Sequence, residues 1–167
     1  MMGVTSTEGV RVDTEAASSS VPAFRDAVSA DLDDVLRLYD QLHPDDERPS
    51  ISISQRTFDV IATSEWLHLN VLEHDGTVVA TAYLNVVPNL TRGAAPYGVV
   101  ENVVVEKTLR NRGYGQALMR GTLEQAWALG CYKVMLMTGS RREPTHNFYR
   151  TCGFLSTEKT AFWARRP

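Results

Sequence analysis

Polar and apolar positions change period several times along this chain, and each change predicts a different element. "VPAFRDAV" (21–28) reads as a first strand. "SADLDDVLRLYDQL" (29–42) then carries Leu32, Val35, Leu36 and Tyr39 at three- and four-residue steps, the spacing of one helix face, with Ser29 as its cap. Two prolines break the pattern in "HPDDERPS" (43–50), and a second helix is predicted over "SQRTFDVIATS" (54–64). In "LHLNVLEHDGTVVATAYLNVV" (67–87) two β-rich runs flank Asp75-Gly76, the signal of a tight hairpin. After the loop "PNLTRGAAPY" (88–97), "GVVENVVVE" (98–106) reads as a buried strand. A long helix follows, with Met119, Leu123, Ala126 and Trp127 on one side and Gly130 as its stop. "CYKVMLMT" (131–138) is a strand, "EPTHNFYRTC" (143–152) a short helix and "FLSTEKTAFWARR" (154–166) a final strand pair. A strand, a helix and a strand in succession imply a parallel central pair.

Composition sets the frame. The 167 residues, 43% hydrophobic and 22% charged, suffice for one domain with a real core, expected over 21–167. The first 20 residues, "MMGVTSTEGVRVDTEAASSS", are small, polar and aperiodic, the pattern of a flexible leader. No apolar run approaches the roughly 18 residues of a membrane span, and the N-terminus lacks a secretion pattern, so a cytoplasmic protein with no membrane partner is expected. Cys131 and Cys152 form no metal spacing and no disulfide framework, which leaves buried free thiols. His43, His68 and His74 share no ligand spacing either, and no metal is expected.

The net charge of −3 hides an asymmetry. Before position 103 there are 6 Lys+Arg against 16 Asp+Glu, a balance of −10, and from 103 onward 11 against 4, a balance of +7. A basic half suits a polyanionic ligand and an acidic half a cationic one, although solvated faces without a partner account for the same numbers. Nucleic acid is disfavoured, because the basic residues are dispersed and the pI is about 5.8.

"LRNRGYGQALMRG" (109–121) gathers two arginines and two glycines where a helix begins. A helix N-terminus presents unpaired N–H groups and the positive end of its dipole, and so attracts phosphate. Gly113 and Gly115 would let phosphate oxygens approach the amides from Arg112 through Tyr114 to Gln116, and Arg110 and Arg112 add charge. The pattern lacks the Lys-Ser/Thr ending of a nucleotide-triphosphate loop and the spacing of a dinucleotide fingerprint, and taken alone it fits a plain glycine turn equally well.

With its context added, the chain resembles the GNAT superfamily of acyl-CoA-dependent N-acetyltransferases. Arg110, Gly113 and Gly115 match that family's Arg/Gln-x-x-Gly-x-Gly/Ala motif after a strand, and "NFYRTCGF" matches its later helix ending in Tyr149 before Gly-Phe. The resemblance runs from about Phe24 to Arg166. It implies an α/β (α+β) fold: a mixed, mostly antiparallel central sheet of six to seven strands with a splayed parallel pair, flanked by about four helices. Within the superfamily, "VENVVVEKTLRNRGYG", "GCYKVMLMT" and "FYRTCGF" are most similar to glucosamine-6-phosphate N-acetyltransferases. Asn102 stands where those enzymes have Asp, Met137 replaces an acidic residue, and the "GSRREPTH" loop is longer, as in aminoalkylphosphonate acetyltransferases.

The resemblance implies attack of an uncharged primary amine on acetyl-CoA, and it assigns residues. Backbone N–H groups of Val103, Val104 and Val105 would hold the pantetheine arm and the oxyanion, and Arg110, Asn111, Arg112, Gly113, Tyr114, Gly115 and Gln116 the pyrophosphate. Glu101, an acidic group inside an apolar strand, is the candidate base, and Tyr149 the candidate acid for the departing thiolate. Arg92, Glu101, Asn102 and Arg165 would meet an amino sugar phosphate or aminophosphonate; Arg141 and Arg142 are alternatives for the anion. His146 is a second proton relay or a structural residue. A peptide or protein amine is the alternative acceptor, and a CoA-binding sensor without turnover the alternative class. A homodimer is allowed by "TAFWARR", since many relatives pair through their C-terminal strands.

Overall fold

The computed structural model describes residues 20–166, so the leader expected over 1–20 lies, but for Ser20, outside the described residues. Five strands form one sheet in the order β1-β2-β3-β4-β5: β1 Ala23–Asp26, β2 Leu67–His74, β3 Thr77–Val87, β4 Tyr97–Val105 and β5 Val134–Leu136. Neighbours are antiparallel except β4 and β5, which run parallel as the strand–helix–strand order requires. Asp75 and Gly76 turn the β2–β3 hairpin with φ of 50° and 73°, the paired left-handed values that match strand twist.

Two helices cover each face. On one side α1 (Leu32–Leu42) and α2 (Ile51–Ala62) place Leu32, Val35, Leu38 and Phe58 on Leu69, Val71, Val78 and Val104. On the other, α3 (Tyr114–Ala128) sets Leu118, Met119 and Ala126 on Ala80, Ala82, Leu84, Val86 and Val100, and α4 (Glu143–Thr151) adds Phe148. α3 can lie this close because Gly121 has no Cβ; one built there would meet the Phe24 ring at 2.5 Å. A polar tie joins the layers at β1, where Asn70 donates to Asp26 at 2.9 Å and to Gln125 of α3 at 2.6 Å.

Several expectations need correction. Ser29 does not cap the first helix; the Asp31 carboxylate accepts the Val28 N–H at 2.7 Å and is itself clamped by Arg25, while Ser29 only accepts from Gln55. The second helix starts earlier, at Ile51, just after Pro49. On α3 the buried stripe is Leu118, Met119, Thr122 and Ala126, one step round from the expected face, and Trp127 is exposed. β5 spans three residues, because the amides of Cys131 and Tyr132 are spent on Ala126 and Pro96 in the crossover and the chain leaves β4 after Leu136.

Among the described residues the sheet has five strands rather than six to seven. "FLSTEKTAFWARR" forms no strand pair: only Phe154 is anchored, through its N–H to the Tyr149 carbonyl and its ring against the core. A strand needs a partner edge, and the short β5 offers three residues, so Leu155, Phe162 and Trp163 stay exposed.

Candidate active site

The site begins where β4 loses a neighbour. β4 pairs with β5 at Gly98, Val99 and Val100 and with β3 as far as Val105, so from Glu101 onward its outer edge carries no strand partner among the described residues. Unpaired main-chain N–H groups inside a fold require another partner, and a cleft between two separating parallel strands admits an extended ligand. A bulge lies in this stretch: Asn102 has φ 51°, and two β4 residues, Asn102 and Val103, stand opposite Ala82 of β3. Of the valines here, Val104 packs under α1 while Val103 and Val105 pack on the α3 side.

Beyond β4 the chain turns sharply into α3. Asn111 and Gly113 are both left-handed, with φ of 62° and 87°, and Gly113 caps the helix. The first intrahelical bond runs from the Ala117 N–H to the Gly113 carbonyl, which leaves the amides of Tyr114, Gly115 and Gln116 pointing out of the helix start. No protein atom comes within 4 Å of a Cβ built on Gly113, so its hydrogen matters for conformation and for the open space beside it. Gly115 has a different purpose, for a Cβ there would press on Phe148 at 3.0 Å and Val105 at 3.4 Å, and its absence lets α3, α4 and β4 converge. Arg110 folds back, its Nε donating to the Val105 carbonyl at 3.1 Å, while Arg112 remains exposed. Tyr114 packs on His74 at 5.3 Å between ring centres, a support that sequence spacing gave no sign of.

Tyr149 faces this cleft from α4, held by Phe148 and Phe154 at 5.0 Å and 6.2 Å. Burial raises the pKa of its hydroxyl, with smaller increments from Cys152 and from the negative charge of Glu101. Glu101 stands directly across the ladder from Tyr83, whose hydroxyl burial also makes a weaker acid. A weak acid in a dry place keeps its proton until a stronger base than water forms beside it. Cys152 is itself held protonated by burial, and neither thiol is paired in a disulfide.

The arginines are not gathered here. Arg92 sits in a left-handed turn before β4, over the Tyr132 ring at 6.0 Å, and Arg165 lies over Trp163 at 4.9 Å in the exposed tail. Arg92 therefore marks the end where β4 and β5 begin, whereas Glu101 marks the place where they part. Arg141 and Arg142 are exposed in a loop pinned by His146, whose Nε2 lies 2.6 Å from the Ser140 carbonyl. That bond gives His146 a structural role. Asn102 is half-buried in the β4 bulge, next to Glu101. Among the described residues no group of three or more His, Cys, Asp or Glu side chains could hold a metal ion, and no helix is long and apolar enough to cross a membrane.

A mixed sheet whose parallel pair parts beside a glycine-turned helix start is the frame of one class of acyltransferase. The chain belongs to the acetyltransferase (GNAT) family, whose model matches residues 32–154. It is 37% identical over 84 residues to the glucosamine 6-phosphate N-acetyltransferase of Trypanosoma brucei brucei, covering 50% of this chain and 55% of that protein. Glucosamine 6-phosphate N-acetyltransferase 1 of Oryza sativa subsp. japonica is 31% identical over 128 residues, 72% of either chain. The first of these matches thus spans little more than half of the relative's length. A solved structure from Agrobacterium tumefaciens str. C58, described as a candidate acetyltransferase, superposes with a TM-score of 0.82 at 40% identity, covering 86% of this chain and 99% of that one.

Proposed function

We propose that this protein transfers the acetyl group of acetyl-CoA to the primary amine of a small molecule by direct attack, with an amino sugar phosphate or an aminophosphonate as the acceptor class. The observation that carries the reading is the unpaired edge of β4 beyond Val100 beside the outward-pointing amides at the start of α3. The residues fit the donor: Gly113 leaves open space at a helix N-terminus, and Arg112 and the α3 amides offer donors to a pyrophosphate. Acetyl-CoA supplies the activated thioester. The chain's own groups do the rest.

Main-chain N–H groups of Val103 to Val105 are donors for the oxygen that gains charge, and one such preorganised donor is worth on the order of 3 kcal/mol. Glu101 takes the proton that the ammonium must lose, directly or through water. Tyr149 returns a proton to sulfur; its raised pKa keeps that proton in place until the thiolate appears. Arg92 and Arg165 enter no ion pair among the described residues and are available to an anionic acceptor; the relatives named for glucosamine 6-phosphate support that class.

The test is release of CoA thiol against glucosamine 6-phosphate, aminoalkylphosphonates, unphosphorylated amino sugars, polyamines and a lysine peptide. Turnover confined to phosphorylated amines is expected. Preference for the peptide would move the acceptor to protein amines, and CoA binding without turnover across the panel would replace the enzyme with a sensor.

A further inference from the structure

The segment from Glu106 to Gly113 carries the chain from the end of β4 to the left-handed glycine that starts α3. Its path fixes where the amides of Tyr114, Gly115 and Gln116 point, and a hydrogen-bond donor serves a ligand only when it is aimed. The segment's own bonds are few. The Glu106 N–H donates to the Val79 carbonyl and the Leu109 N–H to the Glu106 carbonyl, at 2.8 Å each, and Arg110 folds back on Val105. Asn111, Arg112 and Gly113 are exposed.

Among the described residues, the side chains that reach this segment from elsewhere in the fold with hydrogen bonds are Arg37 and Gln41, neighbours one turn apart on α1. The Gln41 Oε1 accepts the Lys107 N–H at 2.9 Å, and its Nε2 donates to the Glu106 carboxylate at 2.9 Å. One carboxamide thus grips the main chain of one residue and the side chain of the residue before it, because it carries an acceptor and a donor at the same tip. Arg37 donates to the same carboxylate and is itself anchored, to the Val78 carbonyl of β3 at 2.9 Å and to Asp34 at 3.1 Å. The grip is therefore referred to the sheet. α1 does not need these bonds to stay docked, since Leu32, Val35 and Leu38 already seat it in the cluster with Val71, Val78 and Val104. What the polar clamp adds is a fixed start for the loop.

We infer that Gln41 is a positioning residue for the acetyl-CoA donor: by gripping the Glu106 carboxylate and the Lys107 N–H, it sets the path of the segment that presents the α3 amides to the pyrophosphate. This role rests on the proposed acetyl transfer, since that reading assigns those amides to the donor. The pyrophosphate is held alike before and during the reaction, so loss of Gln41 weakens donor binding and leaves the chemical step nearly untouched. Sequence spacing gives no sign of the role, because the partners of Gln41 lie 65 and 66 positions along the chain.

The deciding experiment compares Gln41→Met, an unbranched side chain of similar helix preference, with Asp31→Asn, which weakens the other end of α1 and touches no residue of the loop. The readouts are residue-resolved amide exchange of the free protein, acetyl-CoA affinity by calorimetry, and kcat at saturating acetyl-CoA. Gln41→Met should speed exchange of the Glu106, Lys107 and Leu109 amides by about tenfold while the β2 amides keep their natural rates. It should raise the acetyl-CoA Kd by about the same factor and leave kcat at saturation within about twofold. Gln41→Ala should match it, and Asp31→Asn should leave the loop amides and the Kd at their natural values. A natural Kd in both Gln41 variants would show that the loop needs no clamp, and an equal rise of Kd in Asp31→Asn would show that lost stability alone is felt; either overturns the inference. A natural protein that bound no acetyl-CoA would count against the proposed function, and exchange of the Lys107 amide would then decide the clamp by itself.

Discussion

Tyr149 and Asp31 show how a side chain acquires a task from its surroundings. Both are ordinary residues by composition. Burial and the nearby Glu101 charge raise the pKa of Tyr149 above its usual 10.0, so it holds its proton through neutral and mildly alkaline pH. Tyr149→Phe should lower turnover by one to two orders of magnitude, on the order of what general acid catalysis contributes, while acetyl-CoA affinity measured by calorimetry stays nearly constant. An unchanged rate would remove Tyr149 as the acid. Any alkaline fall in the natural enzyme below pH 10.0 belongs to another group. Asp31 is shifted the other way: bonds from Arg25 and from the Val28 N–H hold its carboxyl below the usual 3.8. A depressed pKa adds stability that is fully present above 3.8 and is lost as pH falls through the lower folded value. Asp31→Asn should therefore cost about 1–3 kcal/mol near neutrality, since it breaks a half-buried ion pair and weakens a cap. Urea melts should show that difference shrinking in acid; a gap that persists unchanged at pH ~2 would contradict the linkage.

Elements matter here through where they stop. β5 ends after three residues and β4 continues, and that mismatch, more than any side chain, makes the cleft. α3 begins on a glycine that no other residue type replaces cheaply, because φ 87° is strained for any residue with a Cβ and most strained for a β-branched one. Gly113→Val should abolish acetyl-CoA binding while the fold survives, as no protein atom lies within 4 Å of the added carbon. Normal affinity in a calorimetric titration of that variant would discard the cradle. The far end of α1 is tied to the same region: Arg37 pairs with Glu106 and donates to the Val78 carbonyl at 2.9 Å, and Gln41 donates to Glu106 and accepts from the Lys107 N–H at 2.9 Å each. The loop that leaves β4 is thus held from the acidic half of the chain. These bonds lower the pKa of Glu106, so the tie is secure at neutral pH.

At the scale of the whole molecule, the β5 edge of the sheet and the C-terminal segment present apolar surface among the described residues. The outer edge of β5 is open, Met135 in it and Met137 just after it are exposed, and the tail presents Leu155, Phe162 and Trp163, with Phe162 90% accessible. Apolar surface of this kind, beside an unpaired strand edge, favours association of two copies. Sedimentation should show a dimer that Phe162→Ser combined with Trp163→Ser converts to monomer; a monomeric natural protein at micromolar concentration would refute this. The charge asymmetry read along the chain also takes spatial form. Arg112 and the amides of α3 present the positive end of a helix to the cleft, while Asp45, Asp46 and Glu47 are exposed on the connection between α1 and α2.

The amino-acid order by itself determined most of the elements and the parallel pair. Alternation and helical spacing place β2, β3, β4, α1 and α3, Asp75-Gly76 makes the hairpin, and the strand–helix–strand succession makes the parallel pair. These are local preferences and connection rules, so they are legible one segment at a time. The Arg110-x-x-Gly113-x-Gly115 spacing marked the helix start that the structure turns with a left-handed glycine. What depends on distant partners was not legible. The absent C-terminal strand pair, the three-residue β5 and the rotation of the buried stripe on α3 each follow from a neighbour far along the chain. The same holds for Arg92, which the fold sets over Tyr132. Periodicity reports which face of an element is apolar; packing alone decides which polar atom at the edge of that face finds a partner in the next layer.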